Sequence, residues 1–187
     1  ILTTIVTGDK DILQLVDDDN THVFIPGRGR FSHDREYDEA EVVDKMGVRA
    51  NKIVDLKALM GDPSDNIPGV KGVGAKTATK LIQEFDNLQR VYEEVDRIAT
   101  GVALTVHPVL KGAIIKKMLA GRDMAFLSKE LATIILDAPV NFSLKKCVVK
   151  DYSKDQVAQL FDKYDFVSLK RMLPRDDFET SVQEALF

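Results

Sequence analysis

Cysteine is almost missing from this 187-residue chain: Cys147 stands alone, which rules out an internal disulfide framework and fits a reducing, intracellular setting. Long apolar runs are missing too. No uninterrupted stretch approaches the roughly 20 residues a helix needs to span a bilayer, and no basic-then-apolar leader opens the chain. The expectation is a soluble cytoplasmic protein with no membrane partner. A basic excess is also lacking: 26 Lys and Arg stand against 30 Asp and Glu, a net charge of −4, so overall charge announces no nucleic-acid partner. Local charge must decide. The three histidines, His22, His33 and His107, are scattered and receive no role. The first residue is Ile1, inside an apolar run, which reads as a fragment without its natural N-terminus.

What is present begins with "ILTTIV", β-branched and apolar over a strand's length and stopped by Thr7 and Gly8, which predicts a buried strand. A second strand is expected at "THVFI", before the turn-rich "PGRGR". "YDEAEVVDKMG" predicts a helix with Ala40, Val43 and Met46 on one side and Gly47 as its stop. The order suggests the edge of an α/β domain. Beyond about residue 50 the pattern changes to short helices. Ile53, Leu56 and Met60 form one apolar stripe, and Ala78, Leu81, Ile82 and Phe85 form the next. Asp86 with Gln89 reads as a capping box for a helix carrying Leu88, Val91, Tyr92 and Val95. A further helix is expected to hold Leu110, Ile114 and Met118 and to end near Gly121. "LATIIL" and "KKCVV" read as short strands or buried segments. Ser153 with Gln156 predicts a C-terminal helix through Val157, Leu160, Phe161 and Tyr164.

Four aspartates carry the candidate chemistry. Asp9 and Asp11, in "TGDKD", lie just past the first strand, where loops of an open α/β sheet aim side chains into a crevice. Two carboxylates at this spacing can point the same way, which is costly without a cation; Mg²⁺ or another hard divalent ion would serve. The alternative is that Asp9 caps the segment "DILQLV". Asp62 and Asp65, in "GDPSDN", follow the helix carrying Met60, where negative charge meets the unfavourable end of the helix dipole. Their alternative is a solvated turn, for which these residue types are well suited. Together the four aspartates suit one or two metals set about 4 Å apart, as in many enzymes that cleave phosphodiesters. With no histidine or cysteine beside them, Mg²⁺ or Mn²⁺ is favoured over zinc.

"GVKGVGAKT" invites comparison with a phosphate-binding P-loop. Gly69 and Gly74 have that motif's first spacing, but Ala75 separates Gly74 from Lys76, and the segment follows a helix instead of a strand. A hairpin between two helices fits better: Gly72 and Gly74 let the backbone approach a phosphate, the next helix offers its free amides, and Lys76 adds charge beside Lys71 and Lys80. From Lys71 to Gln83 there are three lysines and no acid; from Val106 to Arg122 come Lys111, Lys116, Lys117 and Arg122, again with no acid. These segments suggest a track for a nucleic-acid backbone, the alternative being solvated helix faces. Such contacts read shape, not sequence.

"TGDKDILQLV" followed by "GDPSDNIPGVKGVGAKTATKLI" resembles the 5′ to 3′ exonuclease domain at the N-terminus of bacterial DNA polymerase I, within the structure-specific 5′ nucleases or flap endonucleases. The likeness runs from Ile1 to about Pro174. It implies an α/β fold, with a partial PIN-like core over residues 1–50 and a helix-hairpin-helix DNA-binding region over 51–174, followed by a peripheral tail at 175–187. It also implies that Asp9, Asp11, Asp62 and Asp65 are catalytic metal ligands, for two ions of Mg²⁺ or Mn²⁺ in the complete site. Lys71, Gly72, Gly74, Lys76, Thr77 and Lys80 would grip duplex DNA, and the hairpin carbonyls would be able to hold K⁺. The implied activity is removal of 5′ ends and flaps in replication and repair, by a monomer that can be fused to a polymerase domain. The family's earlier strand with its "D-G" ligand, its basic arch and its "E-A-D-D" segment have no counterpart in this sequence. Half the ligand set is therefore missing, which leaves open DNA binding without cleavage. The alternative from another class is a non-catalytic helix-hairpin-helix module.

Overall fold

The computed structural model describes residues 1–27, 33–102, 107–147 and 152–173. Two compact units divide the chain, Ile1–Asp137 and Ala138–Phe187.

The first unit opens with strand β1 (Thr3–Val6), a 3₁₀ turn at Asp11–Leu15, and strand β2 (Thr21–Ile25), which lies parallel to β1 with Ile5 opposite Val23. Strand β3 (Arg35–Tyr37) returns antiparallel to β2, Val23 facing Tyr37, so β2 is the central strand. Helix α1 (Glu39–Met46) follows, capped by the Asp38 side chain, which accepts from the Glu41 amide, and closed by Gly47 in the left-handed conformation. Helices α2 (Ile53–Met60), α3 (Ala75–Phe85), α4 (Leu88–Ala99), α5 (Ala113–Ala120) and α6 (Arg122–Ala132) complete the unit. The mixed α/β class, a small sheet leading into a helical region, is the one expected from the sequence.

One apolar core joins sheet and helices: Leu13, Val23 and Val42 from the first fifty residues meet Ile53, Leu59, Leu81, Val91, Met118 and Ala125. Burying each large aliphatic side chain contributes about 1.5–3 kcal/mol, so the sheet and the helical region stabilise one another. Polar links lock the helices. The buried Asp55 carboxylate of α2 accepts from Lys129 of α6 at 2.6 Å and from the Leu88 amide at the start of α4 at 3.3 Å.

Several expectations need correction. The first strand forms but is not buried: Ile1, Leu2 and Val6 are exposed, because among the described residues only β2 lies beside β1. On α1 the buried residue is Val42, not Ala40 or Val43, since the helix turns that face toward the core. The α4 cap is Asn87, whose side chain accepts from the Arg90 amide at 3.0 Å; Asp86 is committed to ending α3 and has a positive φ of 72°. Leu110 is buried but precedes α5 instead of lying in it.

Helix α6 was not expected at all. Its inner face is Ala125, Ser128 and Ala132, small residues that let it close on α2, while Met124, Phe126, Leu127 and Leu131 are exposed. The apolar signal at "LATIIL" therefore belongs to the end of a helix followed by an exposed segment, with Ile135 and Leu136 open to solvent.

The second unit holds a 3₁₀ turn at Leu144–Cys147, helix α7 (Lys154–Lys163) and helix α8 (Val167–Arg171). Ser153 caps α7 by accepting from the Gln156 amide, as its sequence predicts. Lys145 to Cys147 form the exposed 3₁₀ turn and not a strand; Val148, Val149 and the tail at 175–187 lie outside the described residues. Among those residues no helix is long and apolar enough to cross a membrane.

Candidate active site

Chain direction after β1 is set by two successive side-chain bonds. Thr7 Oγ1 accepts from the Asp9 amide at 3.0 Å, and Asp9 Oδ1 accepts from the Asp11 amide at 2.9 Å. Asp11 opens the 3₁₀ turn and points toward the end of α2. There Gly61, with φ +74°, terminates the helix and releases the chain into a turn closed by paired bonds between Asp62 and Ile67, both 2.9 Å.

This turn brings Asp62 and Asp65 to Asp11: one carboxylate oxygen from each lies within 4.8 Å of the others. Asp9 is not in that trio, but it lines the same cavity of about 340 Å³, with Lys57, Met60 and Ser64. One Asp9 oxygen is engaged by the Asp11 amide, whereas the cap position of the 3₁₀ turn is Lys10, with no side-chain cap bond, so Asp9 is not the helix cap weighed from the sequence.

Lys57 is buried among these acids. Its ammonium is paired with Asp11 and donates to Asp62 Oδ2 at 2.7 Å. Burial opposes the charge on Lys57, yet its bonds to Asp11 and Asp62 hold it above the ordinary lysine value. Asp62 is pulled down to about 2, first by Lys57 and then by Ser64, whose hydroxyl and amide both donate to Asp62 Oδ1. Asp65 moves the other way. Lost hydration and the neighbouring Asp11 and Asp62 charges raise it. The ammonium pairs with two of the three carboxylates, so the cluster keeps excess negative charge and an all-oxygen donor set. That chemistry fits a hard divalent cation.

The hairpin follows directly. Gly69 takes φ +61°, and a Cβ there would collide with the Gly61 nitrogen, so the loop's two ends cross backbone to backbone. Its amide donates to the buried Ser128 hydroxyl at 2.9 Å. Gly72 has φ +82°, and its carbonyl accepts from Lys117 at 2.9 Å. Gly74 is different: its φ is negative and nothing lies within 4 Å of where a Cβ would stand, so neither conformation nor the chain's own packing demands glycine there. Gly74 also precedes α3 with no side-chain cap. Lys71, Lys76 and Lys80 are exposed and Thr77 is half-buried. The two acid-free segments meet in space, with Lys71, Lys116 and Lys117 around a groove of about 660 Å³.

Residues 48–155 match the family described as 5′-3′ exonuclease, C-terminal SAM fold. The chain belongs to this family. Curated relatives include DNA polymerase I of Caldicellulosiruptor bescii, 39% identical over 169 residues that make up 90% of this chain and 18% of that protein. DNA polymerase I of Bacillus subtilis is 36% identical over 183 residues, 97% of this chain and 19% of that one. The chain thus spans under a fifth of the length of these relatives. Among solved structures, zinc-bound T5 5′-exonuclease aligns with a TM-score of 0.55 at 27% identity, covering 70% of this chain and 42% of that one. The catalytic core of Rad2 in complex with DNA substrate aligns at 0.57 over 86% of this chain and 51% of its own, at 16% identity, a likeness of fold alone.

In this 5′-3′ exonuclease family member, sequence reasoning missed Lys57. The available signal was its position, one residue after Leu56 on a helix whose other residues, Asp55 aside, are apolar, so that a buried cation there needs a partner. Ser128 was missed for the same reason as α6, since a lone serine among small residues carries no periodic signal.

Proposed function

We propose that the chain carries part of a metal-dependent 5′ to 3′ exonuclease and 5′-flap endonuclease acting on DNA. The observation that carries this reading is the meeting of Asp11, Asp62 and Asp65 within 4.8 Å, on a turn continuous with the glycine hairpin. Relatives named DNA polymerase I and a T5 flap endonuclease solved with DNA and metal ions support it. In this reading Asp11, Asp62 and Asp65 hold Mg²⁺ or Mn²⁺, with Asp9 at the edge of the same cavity. When bound, such an ion activates water and stabilises charge on the leaving oxygen. Lys57 keeps Asp62 ionised and aligns Asp11 and Asp62 with its ammonium. Gly72, Gly74, Lys71, Lys76, Thr77 and Lys80 hold the duplex backbone without reading bases. Residues 1–50 belong to the PIN-like core and supply Asp11, and 51–174 form the helix-hairpin-helix DNA-binding region, which also brings Asp62 and Asp65 to the metal. The protein works as a cytoplasmic monomer, joined to a polymerase domain in its full form. A K⁺ ion at the hairpin carbonyls would share Gly72 with Lys117.

The test is Mn²⁺ titration by calorimetry, comparing the unaltered chain with Asp11→Asn/Asp62→Asn. Affinity falling at least tenfold is expected; an unchanged affinity removes the metal reading.

One observation favours a second reading, a non-catalytic helix-hairpin-helix module: Lys57 already supplies a cation between Asp11 and Asp62. A labelled 5′-flap duplex incubated with Mg²⁺ and either this chain or its full-length form separates the two. Cleavage by the full-length form supports the nuclease, whereas binding without cleavage by both supports the module.

A further inference from the structure

A second cavity, of about 680 Å³, opens on the other part of the Gly8–Lys10 loop, and Gly8 and Lys10 line both it and the aspartate cavity. Its remaining walls come from Ile25, Pro26, His33, Asp34, Arg35, Tyr37 and Lys45. The charge balance there is the reverse of that in the aspartate cluster. Among the described residues, Lys10, Arg35 and Lys45 face a single carboxylate, Asp34, which accepts from the Gly27 amide at 2.8 Å. Arg35 pairs with Glu41 at 3.1 Å. Lys10 and Lys45 have no carboxylate partner among the described residues.

Lys45 is also held in place. Its ammonium donates to the Tyr37 hydroxyl at 2.5 Å and lies 4.6 Å from that ring's centroid. Tyr37 is buried and fixed by its pairing with Val23. A hydroxyl and a ring face orient the ammonium without neutralising it, so its full charge is offered to the cavity. Gly8, on the shared rim, has nothing within 4 Å of where a Cβ would be, which leaves open space above the backbone.

We infer that this cavity is a second phosphate-binding site, with Lys10 and Lys45 as its charged ligands, taking a phosphate of a nucleic-acid strand that also passes the aspartate cluster. The size suits a nucleotide-sized group. The identity of the polymer rests on the reading above, whereas the anion chemistry stands on the cavity itself.

The experiment uses Lys10→Gln, Lys45→Gln and their double variant, with EDTA present so that no strand is cut. Two probes are titrated: a short single-stranded oligothymidylate, followed by fluorescence anisotropy, and thymidine 5′-monophosphate, followed by NMR shifts at Gly8, Arg35 and Tyr37. Each single variant is expected to weaken oligothymidylate binding about three- to tenfold and to flatten its salt slope by about 0.7 for the lost contact. Lys45→Arg is expected to restore binding. Loss for the oligonucleotide alone identifies a strand phosphate as the ligand; loss for both probes extends the site to free monoesters. Lys10 is exposed and makes no tertiary bond among the described residues, so Lys10→Gln folds and its result counts even if Lys45→Gln is destabilised. Unchanged binding of both probes by a folded Lys10→Gln/Lys45→Gln variant, or no binding of either probe by the unaltered chain, overturns the inference. Lys76→Gln, tested on duplex DNA, reports separately on the hairpin, so the DNA reading and this site can fail independently.

Discussion

The Lys117 ammonium donates to the Gly72 carbonyl at 2.9 Å, tying α5 to the tip of the glycine hairpin. Gly72 sits at φ +82°, so the bond holds a left-handed residue at the place where two lysine-bearing segments meet.

Replacing Lys117 by Met removes that bond and keeps most of the stem. Because the pair is exposed, the expected stability loss is small, about 0.5–1 kcal/mol by urea unfolding. Duplex binding should weaken several-fold, equally for all sequences, with a shallower salt dependence. A sequence-selective loss would contradict the backbone-holding role.

Lys57→Met leaves Asp11 and Asp62 facing each other without their buried cation. In EDTA this should cost about 3 kcal/mol, and saturating Mn²⁺ should recover much of it by supplying charge at the same carboxylates. Equal losses with and without Mn²⁺ would show that the acids do not share an ion.

The same pair sets an acid limit on stability. Asp62 has a folded value of about 2 against an ordinary value of 3.8. Its contribution is therefore complete above about pH 4 and is lost as pH falls through about 2. Carboxyl NMR should show the low Asp62 midpoint in the metal-free chain, and Lys57→Met should move it upward toward the ordinary value.

Tyr92 gives the alkaline counterpart. Its hydroxyl is buried without a hydrogen-bond partner among the described residues, and burial pushes its pKa to about 12, with Arg122 opposing. The neutral form is favoured in the folded state, so stability is complete below about pH 10 and falls as pH rises toward 12. Tyr92→Phe should remove that alkaline loss, worth about 2–3 kcal/mol, and should cost nothing at neutral pH, where it relieves an unpaired polar group. Thermal melts across this range measure both.

The helices α2, α3 and α4 were legible because large apolar residues recur on one face, and Leu81, Leu88 and Val91 are fully buried as that spacing requires. Helix α6 was not, because close packing against α2 selects Ala125 and Ser128, which leave no periodic mark, and puts Phe126 and Leu127 outside. The candidate site was legible in its acids, whose types and spacing are unusual, but not in Lys57. A cation on a mostly apolar helix reads as an outlier until the fold brings Asp11 to it from 46 positions away.

The crossing of Gly69 over Gly61 gives the loop between α2 and α3 the construction of a caliper. One jaw is the carboxylate turn, the other the lysine-bearing tip, and the rivet is a contact that admits no side chain. Within the carboxylate jaw Pro63 and Asn66 are exposed, and Asn66 takes a φ of 58°, the left-handed conformation that asparagine tolerates better than most residues. In the proposed reading, the distance along a nucleic acid from where it would be held to where it would meet the acids is thereby written into main-chain geometry.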